Sequence, residues 1–220
     1  MIKRLAQTMK KTVFIFDFDG TIADTHRYIV KISNRLSKEF NYKAIDSEEA
    51  EKLKGKTSQE VIRYMNVPLM KIPAIISKAK KEFQKEINSI EPFKGLSEIL
   101  HRMKKQNVIM GILSSNSMDN IAGFLKQHQL EIFDFVQTTS KVWSKNTCLK
   151  NLIQKNSFSF DQILYIGDEI RDILAARKLG VTMAAVGWGY NSTDALQKHH
   201  PDFMLTRPQD LLDLFDNSSS

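Results

Sequence analysis

Five short apolar runs constrain this chain more than any other feature: Val13–Phe16, 108–113, 133–136, 163–166 and 183–186. They are continuous rather than alternating, the pattern of parallel strands buried on both faces. Between them the apolar spacing turns helical. Ile121, Phe124 and Leu125 make one face; Leu149, Leu152 and Ile153 make another, with Ser144 as its expected N-cap. Ile170, Ile173 and Leu174 make a third, and Gly180 is placed to stop that helix. Strand and helix in alternation predict an α/β protein with a parallel sheet between helical layers, a Rossmann-like three-layer core.

One segment interrupts the alternation. Some 90 residues separate the first run from Val108, and no convincing strand lies among them. Ile29, Ile32, Leu36 and Phe40 form one amphipathic stripe; Ile72, Ile75, Ile76, Ala79 and Phe83 form another. A single crossover helix needs far less chain. The expectation is an inserted helical cap over residues 25–90, with residues 1–24 and 91–220 forming the core domain.

Composition narrows the class. Hydrophobic residues make up 42% of 220, ample for a core. No apolar run approaches the ~18 residues of a membrane-spanning helix. The basic N-terminal stretch lacks the apolar segment of a secretory signal. The single Cys148 excludes an internal disulfide and suits a reducing compartment, so a cytoplasmic protein is expected. The net charge of +7 favours anionic partners, but the basic residues are scattered. Lys78, Lys80 and Lys81 read as a solvated helix face, and no nucleic-acid motif accompanies them.

Ligands of open α/β sheets bind beyond the carboxyl ends of the strands. Asp17, Asp19, Gly20 and Thr21 follow the first run; Ser114, Ser115 and Asn116 follow the second; Gly167, Asp168, Glu169 and Asp172 follow the fourth. Lys145 opens the helix after the third. Two adjacent carboxylates in a partly buried place repel one another, and a hard divalent cation with oxygen ligands is the natural compensation. Asp19 lies two residues beyond Asp17, on the same side of an extended chain. Gly20 permits a tight turn that aims amides at an anion. Glu169 alone is well explained as an acid at a helix N-terminus, and Trp188 as a packing residue.

In order and spacing, DFDGT, SSN, Lys145 and GDEIRD resemble the four motifs of the haloacid dehalogenase superfamily. The likeness covers nearly the whole chain, with the helical insertion where that family's first-type cap sits. GWGY, residues 187–190, resembles a loop of its phosphoglycolate-phosphatase-like branch. The resemblance implies a Mg²⁺-dependent phosphatase acting on a small phosphorylated metabolite. Asp17 would be the nucleophile and Asp19 the general acid and base. Asp17, the Asp19 backbone, Asp168 and Asp172 would serve the metal. Gly20, Thr21, Ser115 and Asn116 would hold the phosphoryl oxygens, and Lys145 would neutralise Asp17 and phosphate together. Lys54 and Lys56, in the cap stretch 53–60, are expected to meet the leaving group. A β-phosphoglucomutase-like mutase and a non-catalytic phosphate-binding protein are the alternatives. Asp19 itself speaks against carbon–halogen hydrolysis, because the dehalogenases of the superfamily lack that second acid.

Overall fold

The computed structural model describes residues 13–139 and 145–216, so Ser144 lies outside the described residues. Among these, six parallel strands form one sheet: β1 (Val13–Phe16), β2 (Ile109–Ser114), β3 (Phe135–Thr138), β4 (Ile163–Gly167), β5 (Thr182–Val186) and β6 (Phe203–Leu205). Their spatial order is β3-β2-β1-β4-β5-β6. The chain winds outward from β1 through β2 to β3, then restarts at β4 on the other side of β1. The switch point therefore lies between β1 and β4, where Phe16 pairs with Ile166. Asp17 and Asp168 emerge side by side at that point.

The continuous apolar runs are buried on both faces, as expected. Alternation along β1 sends Phe14 and Phe16 into one core and Val13 and Ile15 into the other. The first core packs under α5 (Leu96–Lys105) and α6 (Met118–Gln127). The second packs under α7 (Lys145–Lys155) and α8 (Ile170–Leu179).

Two strand expectations are corrected. The third strand begins two residues later than the run 133–136 suggests, because the Asp134 backbone N–H donates to the Met110 carbonyl at 2.7 Å and its carboxylate accepts from the Met110 N–H at 2.8 Å. Phe133 is spent on packing against Phe16 instead. The sixth strand was not expected at all. It is a three-residue edge, anchored by the Met183 N–H donating to Asp202 at 2.8 Å.

Between β1 and α5 the chain is helical, as its stripes predict. It forms α1 (His26–Phe40), α2 (Ser47–Leu53), α3 (Ser58–Tyr64) and α4 (Ile72–Glu86). Capping boxes start α2 at Asp46 and α3 at Thr57. Helix α1 lies along α4, and Arg35–Glu82 at 2.8 Å and Lys31–Glu86 at 3.0 Å line their exposed seam. Such exposed pairs contribute about 0–1 kcal/mol each. The two connections to the sheet are tied together: the Asp24 N–H donates to the Glu91 carbonyl at 2.9 Å, and the Phe93 N–H to Ile22 at 3.1 Å.

Candidate active site

Asp17 is buried, and the backbone holds it firmly. Its N–H donates to the Ile166 carbonyl at 2.8 Å, continuing the β1–β4 ladder one residue past the strand. Its Oδ1 accepts from the Phe18 N–H at 2.8 Å, and its Oδ2 accepts from Lys145 Nζ at 2.5 Å. Lys145 also pairs with Asp172. Carboxylate oxygens of Asp17, Asp168 and Asp172 all lie within 4.8 Å of one another, and all three residues are buried.

The electrostatics follow from that crowding. Burial pushes the Asp17 carboxyl up to about 7, against the pull of Lys145 and with a further push from Asp172. Burial also raises Asp168 well above the usual carboxylate range, helped by Glu169 and Asp17. Burial disfavours the Lys145 charge, but Asp17 and Asp172 outweigh it and hold the ammonium protonated. Three buried carboxylates, two of them sharing one lysine, resist ionising together, and added positive charge would favour their charged forms. An all-oxygen donor set of this kind fits a hard divalent cation.

The turn after β1 is built to press against this cluster. Gly20 has φ +77°, and a side-chain carbon there would overlap the Asp168 carboxylate. Thr21 is buried and donates its hydroxyl to Asp168 Oδ1 at 2.8 Å. The hydroxyl expected to face phosphate therefore orients a carboxylate instead. Asp172 accepts from the Glu169 N–H at 3.1 Å and from the Tyr165 hydroxyl at 3.2 Å.

Asp19 reaches toward the end of β2. Asn116 Nδ2 donates to its two oxygens at 3.1 and 3.2 Å. Burial pushes the Asp19 carboxyl up to about 6, and the Asn116 bond opposes that rise. Asn116 thus holds the second acid of the pair. Ser114 is buried and its hydroxyl accepts from the Asn116 N–H at 2.9 Å, whereas Ser115 faces the cavity beside Asp19.

Several neighbours were not anticipated. Tyr190 donates its N–H to Asp168 Oδ2 at 2.7 Å, which puts the GWGY loop directly on the acid cluster. Asn191 follows it, with Oδ1 accepting from the Ile170 N–H at 2.9 Å. Arg171 pairs with Glu169, and Ser58 at the start of α3 donates to Glu169 at 2.9 Å. Glu169 thus caps α8 and also meets the helical segment. Lys80 departs from the solvated-face reading of its run: it is half-buried, lines the cavity and feels the Asp19 charge. Lys78, by contrast, pairs outward with Glu39. Helical spacing sets Lys80 nearer than Lys78 to the stripe of Ile76 and Phe83, and the roll of α4 against α1 turns it inward.

Lys54 and Lys56 both line the cavity, yet Lys54 Nζ pairs with Glu51 at 2.9 Å and Lys56 Nζ lies 4.0 Å from Glu60. It is their carbonyls that meet the core, through Asn191. His26 lines the same cavity against the Tyr190 ring, and burial and Lys54 both lower its affinity for a proton. Trp188 packs on Phe93 and donates to the Thr21 carbonyl at 3.1 Å.

Residues 14–186 match the model of the haloacid dehalogenase-like hydrolase family, so the chain belongs to that family, and it is an enzyme of the phosphatase kind within it. Among characterised relatives it is 32% identical, over 90% of its length and 94% of theirs, to a phosphoglycolate phosphatase of Synechococcus elongatus. It is 24% identical to the pyrophosphatase PpaX of Bacillus thuringiensis, over 93% of this chain and 96% of that one. A haloacid dehalogenase-like hydrolase of Streptococcus pneumoniae superposes with a TM-score of 0.79 at 19% identity, over 94% of this chain and 99% of that one. No helix among the described residues is long and apolar enough to cross a membrane.

Proposed function

We propose that the chain hydrolyses a small phosphomonoester, in the manner of a phosphoglycolate phosphatase, with Mg²⁺ as its cation and Asp17 as nucleophile. The observation that carries this reading is the buried Asp17 carboxylate, fixed by Lys145 at 2.5 Å among acids, with Asp19 held two residues away by Asn116.

An Asp17 oxygen attacks phosphorus while the bond from phosphorus to the alcohol oxygen breaks. Asp19, entering as the acid, gives its proton to that departing oxygen. Asp19, now the base, takes a proton from water, whose oxygen attacks phosphorus and breaks the bond to Asp17. Phosphate leaves, and both acids return to their starting states. Lys145 offsets the charge that Asp17 and the phosphoryl group bring together. Asp17, Asp168, Asp172 and the Asp19 carbonyl would hold Mg²⁺, which supplies charge stabilisation at the phosphoryl oxygens when bound. Ser115 lines the cavity beside Asp19, where a phosphoryl group would enter, whereas the Gly20 and Thr21 amides, expected to face that group, donate within the turn to the Ala23 and Phe18 carbonyls. Residues 25–90 act as a cap over a core of residues 1–24 and 91–220. The lone Cys148 accords with a cytoplasmic setting.

Phosphate release from 2-phosphoglycolate and from a generic aryl phosphate, with Mg²⁺ and with excess chelator, tests the reading. Turnover with Mg²⁺ that stops on chelation and returns on re-addition is expected. Full activity in excess chelator would remove the metal from the account, and no release from any phosphomonoester would overturn the activity.

A further inference from the structure

A cavity of about 370 Å³ opens at Asp19, Ser115 and Asn116 and runs away from the sheet into the helical segment. Its near end is polar. Its far end is walled by Val30 of α1, Ile45 of the loop before α2, Val61 of α3 and Met65 at its C-cap, and Ile76 and Ala79 of α4. Ile45, Ala50 and Met65 pack on one another, yet an apolar seam stays open beside them along the cavity. Ile29 continues the stripe of Ile32 and Leu36, each only 2% exposed, yet it is itself 39% exposed on the cavity wall. The volume is on the scale of pockets that bury organic ligands. A two-carbon alcohol such as glycolate would leave most of it unfilled.

We propose that the cap carries an apolar subsite for the alcohol half of the substrate, so that the preferred phosphomonoester bears a hydrocarbon portion of several carbons. The inference rests on the phosphatase reading for its direction: phosphorus at Asp17 places the alcohol oxygen near Asp19, and Asp19 lines this cavity. The occupant is fixed by that continuity. A carbon chain leaving the phosphate passes Ser115 and Asn116, then meets Ile76 and Ala79 of α4, Val61 of α3 and Met65 at the C-cap of α3. Each methylene that leaves water for this wall contributes about fourfold in affinity.

The test uses binding as well as turnover. Dissociation constants of methyl-, propyl- and pentylphosphonate, which cannot be hydrolysed, are measured by calorimetry with Mg²⁺ present, and kcat/KM is measured for the matching alkyl phosphates. Affinity tightening by about fourfold per added methylene is expected. Ala79→Leu, which fills the cavity from α4, should flatten that slope. Ala50→Leu from α2 should do the same, so failure of one variant to fold leaves the other. Affinities independent of chain length, or a slope unchanged in both folded variants, would overturn the subsite. A steep binding slope without hydrolysis of any ester would leave the subsite standing and remove the phosphatase reading; hydrolysis with flat binding would do the reverse.

Discussion

The Asn191 side-chain amide donates to the Lys54 carbonyl at 2.9 Å. The same amide donates to the Lys56 carbonyl at 2.8 Å, and the Ser192 N–H also donates to Lys54 at 2.9 Å. One residue past the loop that bonds Asp168, a single side chain thus grips the turn between α2 and α3. Asn191 is buried, and its Oδ1 is already committed to the first turn of α8. The helical cap and the acid cluster are joined through it.

Asn191→Ala should therefore loosen the cap. Two neutral hydrogen bonds contribute about 1–3 kcal/mol together. Faster amide exchange over residues 54–58 is expected, with a several-fold rise in KM and the fold intact. Exchange and KM both at wild-type values would show that the clamp carries no closure energy.

Thr21→Val tests whether this hydroxyl serves the metal site. The substitution preserves shape and removes the 2.8 Å bond to Asp168. Loss of a partner that orients a metal-binding carboxylate typically weakens metal affinity by about 10–100-fold. A Mg²⁺ titration of activity, paired with direct calorimetry, should show that loss. A raised substrate KM with unchanged Mg²⁺ affinity would return Thr21 to the phosphate.

Asp19→Ala should slow both formation and hydrolysis of the phosphoryl-enzyme, because one side chain acts in both. Loss of general acid–base catalysis costs about 10²–10⁴-fold. Rapid-quench measurement of the two steps separates them. A loss below about threefold in each would leave Asp19 with a structural task only.

Acid stability should report the exposed cluster of Lys43, Glu49 and Tyr64. Lys43 and the Tyr64 hydroxyl, each 2.5 Å from Glu49, hold its carboxyl at about 2, below its ordinary 4.5. A depressed acid stabilises the fold fully above its unfolded value and loses that contribution as pH falls from 4.5 toward 2. Glu49→Gln should flatten the fall in Tm across that window, and salt should shrink the difference because the pair is exposed. Parallel Tm curves for the two proteins would contradict this.

The core was legible because burial on both faces of a parallel strand writes itself as an apolar run, and because chemistry collects where those runs stop. Asp17, Asp168 and Asp172 could be read in this way, and the structure brings them together. Residues that act across distance could not. Lys80 and Lys78 share one helix and one charge; Lys80 sits at the border of the Ile76–Phe83 stripe, and the packing of α4 is what turns it inward. Asn191 sits in a loop without periodicity, and its partners are backbone carbonyls, which carry no residue-specific signal. The edge strand β6 is too short to show a pattern, and Pro201 and Pro208 flank it.

The central claim is that Asp17 carries the phosphoryl group. Acid-quenched enzyme, taken during turnover with Mg²⁺ and digested for mass spectrometry, tests it directly. A phosphoryl adduct on the peptide containing Asp17, absent from Asp17→Asn along with activity, is the predicted result. Wild-type turnover by Asp17→Asn, or an adduct on a different residue, would contradict it.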